Sequence, residues 1–524
     1  MTGLVETIWH YRLHVVAAGA AFLASLVLTP LVRYLTRRLA IMDHPDHYRK
    51  LHDRPTPLGG GIAVLGAFLV SVLLVIALSD TQRAHYVSNP AFMVGILVSG
   101  FVMCAVGFLD DGVGLSGRQK LAGQLFAASL LLVSGFCVNR IALFGHDIDL
   151  GLSLGVPFTL FWLLGATNSL NFLDGVDGLA TSVGIVLSLA IATMAACTGH
   201  STEAFLAVAM AGALAGFLVY NSPPASVFLG DAGSMLIGLV LGALAIGATL
   251  KGPVTVALVA PIAIWAIPIF DVSMAILRRK LTGRSICATD RGHLHHSLLR
   301  RGLSSRTTVA IVGLVCGLTA VAGVGSVFVH NEWLACGTVI ALLSVLVLTG
   351  VFGQHESQLL LAKGKRFLGS LIPLEKRGRV QPRELEARLQ GNRQWDELWK
   401  TLTQFAERFQ LHTVQLNVHL PAMDEDYHAI WQRHDTPQDV QLWHSDIPLI
   451  ADNLPLGRLR ISGLCTGGSM CSWMGDLIAG LKPFETQMLE IVADCTGSDG
   501  RAESERRVLP QVCLRTGNPE RQCT

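Results

Sequence analysis

The chain has 524 residues, 51% hydrophobic and 15% charged, with a formal net charge of +2 and a mean hydropathy of +0.49. Soluble domains carry about 25% charged residues, so this deficit, together with 53 Gly, excludes an ordinary soluble enzyme and points to a polytopic membrane protein. The 11 Cys stand singly, with no CxxC pair and no His/Cys metal spacing, which suits reduced thiols in membrane and cytoplasm.

The first 14 residues are too polar for a cleavable signal peptide, and the first apolar stretch reads as a retained span. Runs of about 20 apolar residues predict eleven transmembrane helices, at 15–36, 58–79, 92–109, 122–138, 153–171, 179–197, 203–220, 232–250, 253–276, 307–328 and 333–352. The connections 37–57, 110–121, 172–178, 221–231 and 278–306 share one side and hold fifteen Lys+Arg, against four on the other: Arg12, Arg83, Arg140 and Lys251. The positive-inside rule makes the first side cytoplasmic, with the N-terminus outside and the C-terminus inside.

From about His355 the composition turns polar. Segment 394–411 has helical periodicity, 412–420, 439–450 and 456–463 read as strands, and 473–494 reads as a closing helix. The expected organisation is a membrane-embedded domain over 1–354, a small α+β cytoplasmic domain over 355–497 and a disordered tail over 498–524. The fold class is thus an all-α polytopic membrane protein with an α+β appendage.

The acidic residues of the membrane domain gather on the cytoplasmic face. Asp110 and Asp111 end the third expected span, Asp174 and Asp177 follow the fifth, Asp231 opens the eighth and Asp271 closes the ninth. One Asp at a span end is ordinarily a solvated boundary residue. Six of them in Gly-rich, helix-interrupting sequence fit a divalent cation or a proton path better.

Basic groups surround them: Arg278 to Gly302 with His293, His295 and His296, Arg49 to Gly61 in the first connection, and Arg118 with Lys120 in the second. A basic loop is ordinarily a topological anchor, and three clustered His can hold zinc, but no further ligand set at zinc spacing accompanies them. Hard carboxylates beside Arg, Lys and His suit phosphoryl transfer, which works by positioning and charge neutralisation.

Five strings in order, RKLHDRPTPLGGG, GFLDDGVGLSGRQK, NSLNFLDGVDGLA, NSPPASVFLGDAGS and DRGHLHH, resemble the polyprenyl-phosphate N-acetylhexosamine-1-phosphate transferases over roughly residues 15–350. GHLHH looks like the N-acetylglucosamine-1-phosphate branch; the muramoyl-pentapeptide branch has three adjacent His where this sequence has Leu294 in between. The resemblance implies transfer of a sugar-1-phosphate from a UDP-sugar to undecaprenyl phosphate at the inner membrane. It implies Mg²⁺, with Mn²⁺ as a substitute ion. Asp231 would bind the metal with Asn171 beside it; Asp110 and Asp111 would lie near the lipid phosphate; Asp174 and Asp177 would shape the nucleotide pocket. Lys120 would meet phosphate, Asn168, Asn221 and Phe228 would bind or border the nucleotide substrate, and Lys50 and Thr56 would lie near the site. His293, His295 and His296 with Arg291 would face the diphosphate and sugar.

Three rivals stand beside this reading. A CDP-alcohol phosphotransferase needs an Arg shortly after a DGxxA unit, and DGVDGLATS lacks it. An ion-coupled transporter also uses intramembrane Asp and broken helices, but near the bilayer midplane. The muramoyl-pentapeptide enzyme differs in its donor. The polar C-terminal region is expected to bind downstream glycosyltransferases, and a chain ending near Gln354 to keep intrinsic transfer. No nucleic-acid partner is expected, and a homodimer is compatible with the sequence but not specified by it.

Overall fold

The computed structural model describes residues 2–44, 55–80, 83–84, 90–249, 255–281, 292–354, 356–357, 360–361, 383–390, 395–420, 425–433, 442–451, 454–464, 475, 477 and 479–496. Lys50, Arg291 and the expected tail 498–524 lie outside these residues. Among the described residues, one compact unit holds the chain up to Ile276 together with His293–Gly353, and a second holds Leu277–Gly292 and the chain from Gln354.

The first unit is helical. Its elements are α1 Thr2–Arg38, α2 Gly60–Leu78, α3 Pro90–Val113, α4 Gly117–Val133, α5 Gly151–Leu173, α6 Leu179–Thr198, α7 Ser201–Asn221 and α8 Gly230–Gly247. After them come α9 Val259–Ile264, α10 Ala266–Leu281 (which runs on into the second unit), α11 Leu294–Arg300, α12 Ser305–Phe328 and α13 Glu332–Leu348. Seven of these, α1, α2, α3, α6, α7, α8 and α12, are long and apolar enough to cross a membrane. The α4 and α13 helices have 17 residues each, and α5 has 23 with Pro157 inside it.

Ten of the eleven expected spans overlap one helix; the ninth does not. Within 253–276, β5 Thr255–Ala257 pairs parallel with β3 Arg140–Leu143, which itself forms a hairpin with β4 His146–Asp149. The hairpin turns on Phe144 and Gly145, both at positive φ (49° and 80°), the conformation that matches strand twist in a two-residue turn. Pro261 then sits in the first turn of α9, where a missing N–H costs nothing, and the chain breaks at Trp265 before α10. Apolar composition is the same in a strand, a short helix and a long one, so hydropathy alone merged the three.

Helix α8 is the axis of the unit. It packs on α2, α3, α5, α6 and α7, and every residue from Ala232 to Gly247 is buried. Close approach is achieved by small residues. A Cβ on Gly61 would lie 2.2 Å from the Gly233 nitrogen, one on Gly107 2.5 Å from the Ala232 Cα, and one on Gly238 2.5 Å from the Thr167 Cα. Small residues at helix crossings let backbones touch where no hydrophobic force operates between helices in lipid.

The short β1 Met42–Asp43 and β2 Thr56–Pro57 pair antiparallel after α1. The chain beyond β2 then runs along 228–229. Phe228 N donates to Pro57 O (2.9 Å), Gly60 N to Phe228 O (3.0 Å) and Gly61 N to Leu229 O (3.0 Å). The first-loop motif thereby holds the segment that leads into α8.

In the second unit, β6 Arg383–Gln390, β7 Thr413–Leu420, β8 Glu425–Gln432, β9 Leu442–Ala451 and β10 Leu454–Leu464 form an antiparallel sheet in the order β6-β8-β7-β10-β9. Helices α14 Trp395–Arg408 and α15 Lys482–Thr496 complete it. Trp395, Trp399, Leu402 and Phe405 of α14 share a core with Leu416, Val418, Tyr427, Trp431, Leu459 and Ile461 of the sheet and Phe484 and Met488 of α15. Helix α14 and strands β7, β9 and β10 fall within a few residues of the segments read from the sequence, α15 begins nine residues later than the expected closing helix, and β6 and β8 were not foreseen.

Candidate active site

Five helix ends supply the expected site residues. Asp110 and Asp111 are in the last turn of α3, Lys120 in the first turn of α4, Asn168 and Asn171 near the end of α5, Asp174 and Asp177 between α5 and α6, Asn221 at the end of α7, and Asp231 second in α8. Ser116 caps α4 with a full capping box to Gln119, which fixes the turn between Asp110 and Lys120.

The centre of the cluster is Lys120. Its Nζ lies 2.5 Å from Asp231 Oδ2, 2.9 Å from Asp110 Oδ2 and 3.1 Å from Asn171 Oδ1. Asn171 Nδ2 donates to the other oxygen of Asp231 at 2.6 Å and to Ser234 Oγ at 3.0 Å. Asp110 Oδ1 accepts from Leu115 N at 2.7 Å, so its carboxylate is anchored on one side and paired on the other.

Asp111 has a different task from its neighbour. Its two oxygens accept from Asp231 N (2.8 Å) and Ala232 N (3.2 Å), capping the first turn of α8 from another helix. A carboxylate there meets two unsatisfied donors and the positive end of the helix dipole. Gly230, at φ +71°, makes room, since a Cβ on it would lie 2.5 Å from Asp111 Oδ2. The structure thus separates the Asp110–Asp111 pair: Asp110 joins the polar cluster, and Asp111 fixes the backbone that carries Asp231.

Around this centre, Asn168 and Gln124 exchange reciprocal amide bonds (2.9 and 3.3 Å), one turn deeper than Asn171. Asn221, 2% exposed, accepts from Thr181 Oγ1 (2.7 Å) and donates to Val227 O (3.0 Å), which closes the loop before Phe228. Asp177 accepts from Ala225 N of the same loop at 2.8 Å. Asp174 is half-buried; burial first, and then the charges of Asp231, Asp111 and Asp177, raise its carboxyl well above the usual range. Thr56 is buried on β2, next to the Pro57 that holds Phe228.

The histidines form a second cluster. His293 Nδ1 lies 2.6 Å from Asp271 Oδ2, and Leu294 N donates to Asp271 Oδ1 at 2.7 Å. The His293 ring stacks on Phe172, beside Asn171, at 5.6 Å and 21°, and parallel to His295 at 5.7 Å and 2°. His295 and His296 rings lie 4.3 Å apart. His295 is 1% exposed, and neither ring nitrogen has a hydrogen-bond partner among the described residues. Its Nε2 is turned to Gly175 of the 174–178 loop, where a Cβ would stand 2.6 Å away. Burial, followed by the neighbouring His296, His293 and Arg300, pushes this ring well below the usual histidine range, so it is neutral at pH 7. A neutral ring gives a directed hydrogen bond and no charge, a narrower task than the sequence assigned to it.

Sequence reasoning missed Gln124, Ser234, Thr181 and the partnership of Asp271 with His293. Ser234 closes the string NSPPASVFLGDAGS without having been given a role there, and Gln124 and Thr181 lie outside the five strings; each is identified by the neighbour that the fold brings to it.

The donor set fits a hard divalent cation. Asp110, Asp231 and Asn171 present carboxylate and amide oxygens around a single ammonium, which occupies the position of a cation between two carboxylates. Among the described residues no group of three or more His, Cys, Asp or Glu side chains could hold a metal ion. Magnesium is ordinarily held by one or two carboxylates together with substrate phosphates, so this sparse oxygen set suits it.

The glycosyl transferase family 4 profile matches residues 93–249, from α3 to the end of α8. The chain is 32% identical over 303 residues to the probable undecaprenyl-phosphate N-acetylglucosaminyl 1-phosphate transferase of Bacillus subtilis, covering 57% of this chain and 81% of that protein. It is 33% identical over 391 residues to the decaprenyl-phosphate N-acetylglucosaminephosphotransferase of Mycobacterium tuberculosis, covering 70% and 90%. It is 32% identical over 303 residues to the phospho-N-acetylmuramoyl-pentapeptide-transferase of Geobacillus kaustophilus, covering 54% and 89%. With these likenesses spanning most of each relative, the chain belongs to glycosyl transferase family 4.

Proposed function

We propose that the protein transfers N-acetylglucosamine-1-phosphate from UDP-N-acetylglucosamine to undecaprenyl phosphate, releasing UMP and leaving a lipid-linked sugar diphosphate in the membrane. The observation that carries this reading is the convergence of Asp110, Asn171 and Asp231 on Lys120 at the ends of four helices, in a chain whose relatives are transferases acting on polyprenyl phosphates. A phosphate oxygen of the lipid attacks the sugar-side phosphorus; a P–O bond forms as the P–O bond to UMP breaks, and UMP leaves with the electron pair. The nucleophile is already anionic, so the protein's work is positioning and charge neutralisation.

Asp231 and Asn171 would hold Mg²⁺, which when bound offsets charge on the diphosphate. Lys120, which meets oxygens of the same Asp231 and Asn171, would offset phosphate charge beside them. Asp110 sets the position of Lys120 beside the lipid phosphate, and Asp111 holds the α8 backbone in place. Asp174, Asp177, Asn221 and Phe228 border the nucleotide, and His293 and His296 face the diphosphate and sugar, with the buried His295 between them turned to Gly175. A midplane transporter site finds no support, because the carboxylates sit at helix ends.

Membranes supplied with radiolabelled UDP-N-acetylglucosamine, undecaprenyl phosphate and Mg²⁺ are expected to yield label in the lipid extract and UMP in the aqueous phase. Labelled lipid only from UDP-N-acetylmuramoyl-pentapeptide would move the protein to the other donor. Label in neither would sink the reading.

This reading requires the site to face the cytoplasm, where UDP-sugars reside, and the excess of Lys and Arg in the connections on that side supports it. A reporter fused after Phe352 is expected to read cytoplasmic and one at Asn331 external. The reverse pattern would separate the site from its donor.

A further inference from the structure

Asp271 lies in α10 and is 1% exposed, and no step of the transfer described above uses it. Its two oxygens have separate partners: Oδ1 accepts from Leu294 N at 2.7 Å, and Oδ2 lies 2.6 Å from His293 Nδ1. A carboxylate that accepts from Nδ1 holds the proton on that nitrogen, leaving Nε2 as the nitrogen available to substrate. The ring plane is set independently by Phe172 at 5.6 Å and by His295 lying parallel at 5.7 Å. Phe172 adjoins Asn171, so the held imidazole stands beside the end of α5, which carries the cation ligand and leads into the loop with Asp174. Such carboxylate–imidazole pairs fix tautomer and tilt, and losing the carboxylate typically lowers activity about 10–100-fold.

We propose that Asp271 is a positioning residue for the transfer reaction, fixing the tautomer and orientation of His293 so that Nε2 meets the substrate diphosphate. The proposal rests on the role given to His293 in the reaction above. Asp271 acts through His293 and touches no reacting atom itself. A purely architectural Asp271, anchoring the segment through Leu294 N alone, would serve equally well with His293 replaced, and the two roles therefore separate in a double-mutant cycle.

The experiment compares Asp271→Asn, Asp271→Glu, His293→Ala and the Asp271→Asn/His293→Ala double variant in purified full-length protein. It measures lipid-product turnover, KM for UDP-N-acetylglucosamine and thermal unfolding. Asp271→Asn is expected to lower kcat about 10–100-fold with KM changed less than about threefold, because the ring is misplaced while nucleotide contacts persist. Asp271→Glu, which keeps the carboxylate but lengthens it, is expected to retain more turnover than Asn. A packing role predicts the opposite order, since Asn matches the space and Glu overfills it. The double variant is expected to turn over no more slowly than His293→Ala alone.

Three results would overturn the proposal while leaving the wider reading intact. They are near-parental kcat in Asp271→Asn with His293→Ala crippled, losses that multiply in the double variant, or Glu worse than Asn. Full turnover in His293→Ala would overturn the proposal together with the role given to His293, while the transfer reaction itself would stand. Should Asp271→Asn fail to insert, the ranking of Asp271→Glu below or level with His293→Ala decides against the proposal, and turnover well above it decides in favour.

Discussion

Asp231→Asn is expected to lower turnover at least about a hundredfold in protein that inserts and unfolds like the parent, on the scale of removing one key electrostatic group from a reaction centre. Asp231 Oδ2 meets Lys120 at 2.5 Å and Oδ1 accepts from Asn171 at 2.6 Å. An amide of the same size keeps the bulk but loses the charge that a hard cation needs, and leaves Lys120 with Asp110 as its remaining carboxylate. The fold is spared because the backbone at this position is held elsewhere: Asp231 N and Ala232 N donate to Asp111. Asp111→Asn is the matching control. It removes the charge that caps α8, and its cost is expected to appear in thermal stability as well as turnover. Raising Mg²⁺ should recover part of the Asp231→Asn loss by mass action if the variant weakens cation binding. Near-parental turnover at ordinary Mg²⁺ would remove Asp231 from the site.

The difference between Asp110 and Asp111 marks where sequence stops being informative. The adjacent pair reads as two equivalent acids in GFLDDGVG, and composition cannot assign them. Successive helical side chains point in different directions, so one reaches Lys120 and the other reaches the start of α8, about 120 residues away in the chain. The helices themselves were legible because lipid demands long apolar runs, and the motifs were legible because Gly-rich breaks interrupt those runs. The break at Trp265 was not, since β5 exists only through pairing with β3 more than a hundred residues earlier. Strand β8 carries a period-2 pattern in Tyr427, Ala429 and Trp431, but Asp426 and His428 on its other face are also buried, at 1% each. Polar residues at buried positions blur the alternation by which a strand is read. The first-loop glycines have the same character: the expected span 58–79 took in Gly59, Gly60 and Gly61 only as part of an apolar run, whereas Gly61 is needed for contact with Gly233.

Removing Glu356 is expected to destabilise the protein by about 3–5 kcal/mol, the cost of leaving one member of a buried pair uncompensated. Arg278 and Glu356 are 3% and 4% exposed, and Glu356 Oε1 lies 2.5 Å from both Nε and Nη2 of Arg278. Arg278 Nη2 also donates to Gly292 O at 2.8 Å, and a Cβ on Gly292 would stand 1.3 Å from Nη1. Gly292 immediately precedes His293, so the guanidinium lies flush against the residue that leads into the histidine cluster. This moves the boundary at which the C-terminal region becomes dispensable. A chain ending at Gln354, which the sequence marked as retaining transfer, lacks Glu356 and abandons Arg278. A chain ending at Ser370 keeps Glu356 while still removing the sheet that begins at Arg383. In detergent, the 1–370 form is expected to retain lipid-product turnover near the parent, whereas the 1–354 form and full-length Glu356→Gln should both unfold earlier and lose turnover together. Glu356→Asp should be intermediate, because it keeps the charge but shortens the reach. Equal stability and turnover of the 1–354 and 1–370 forms would show that the pair contributes nothing. Loss in the 1–370 form despite normal insertion would make the α+β domain itself a requirement for catalysis.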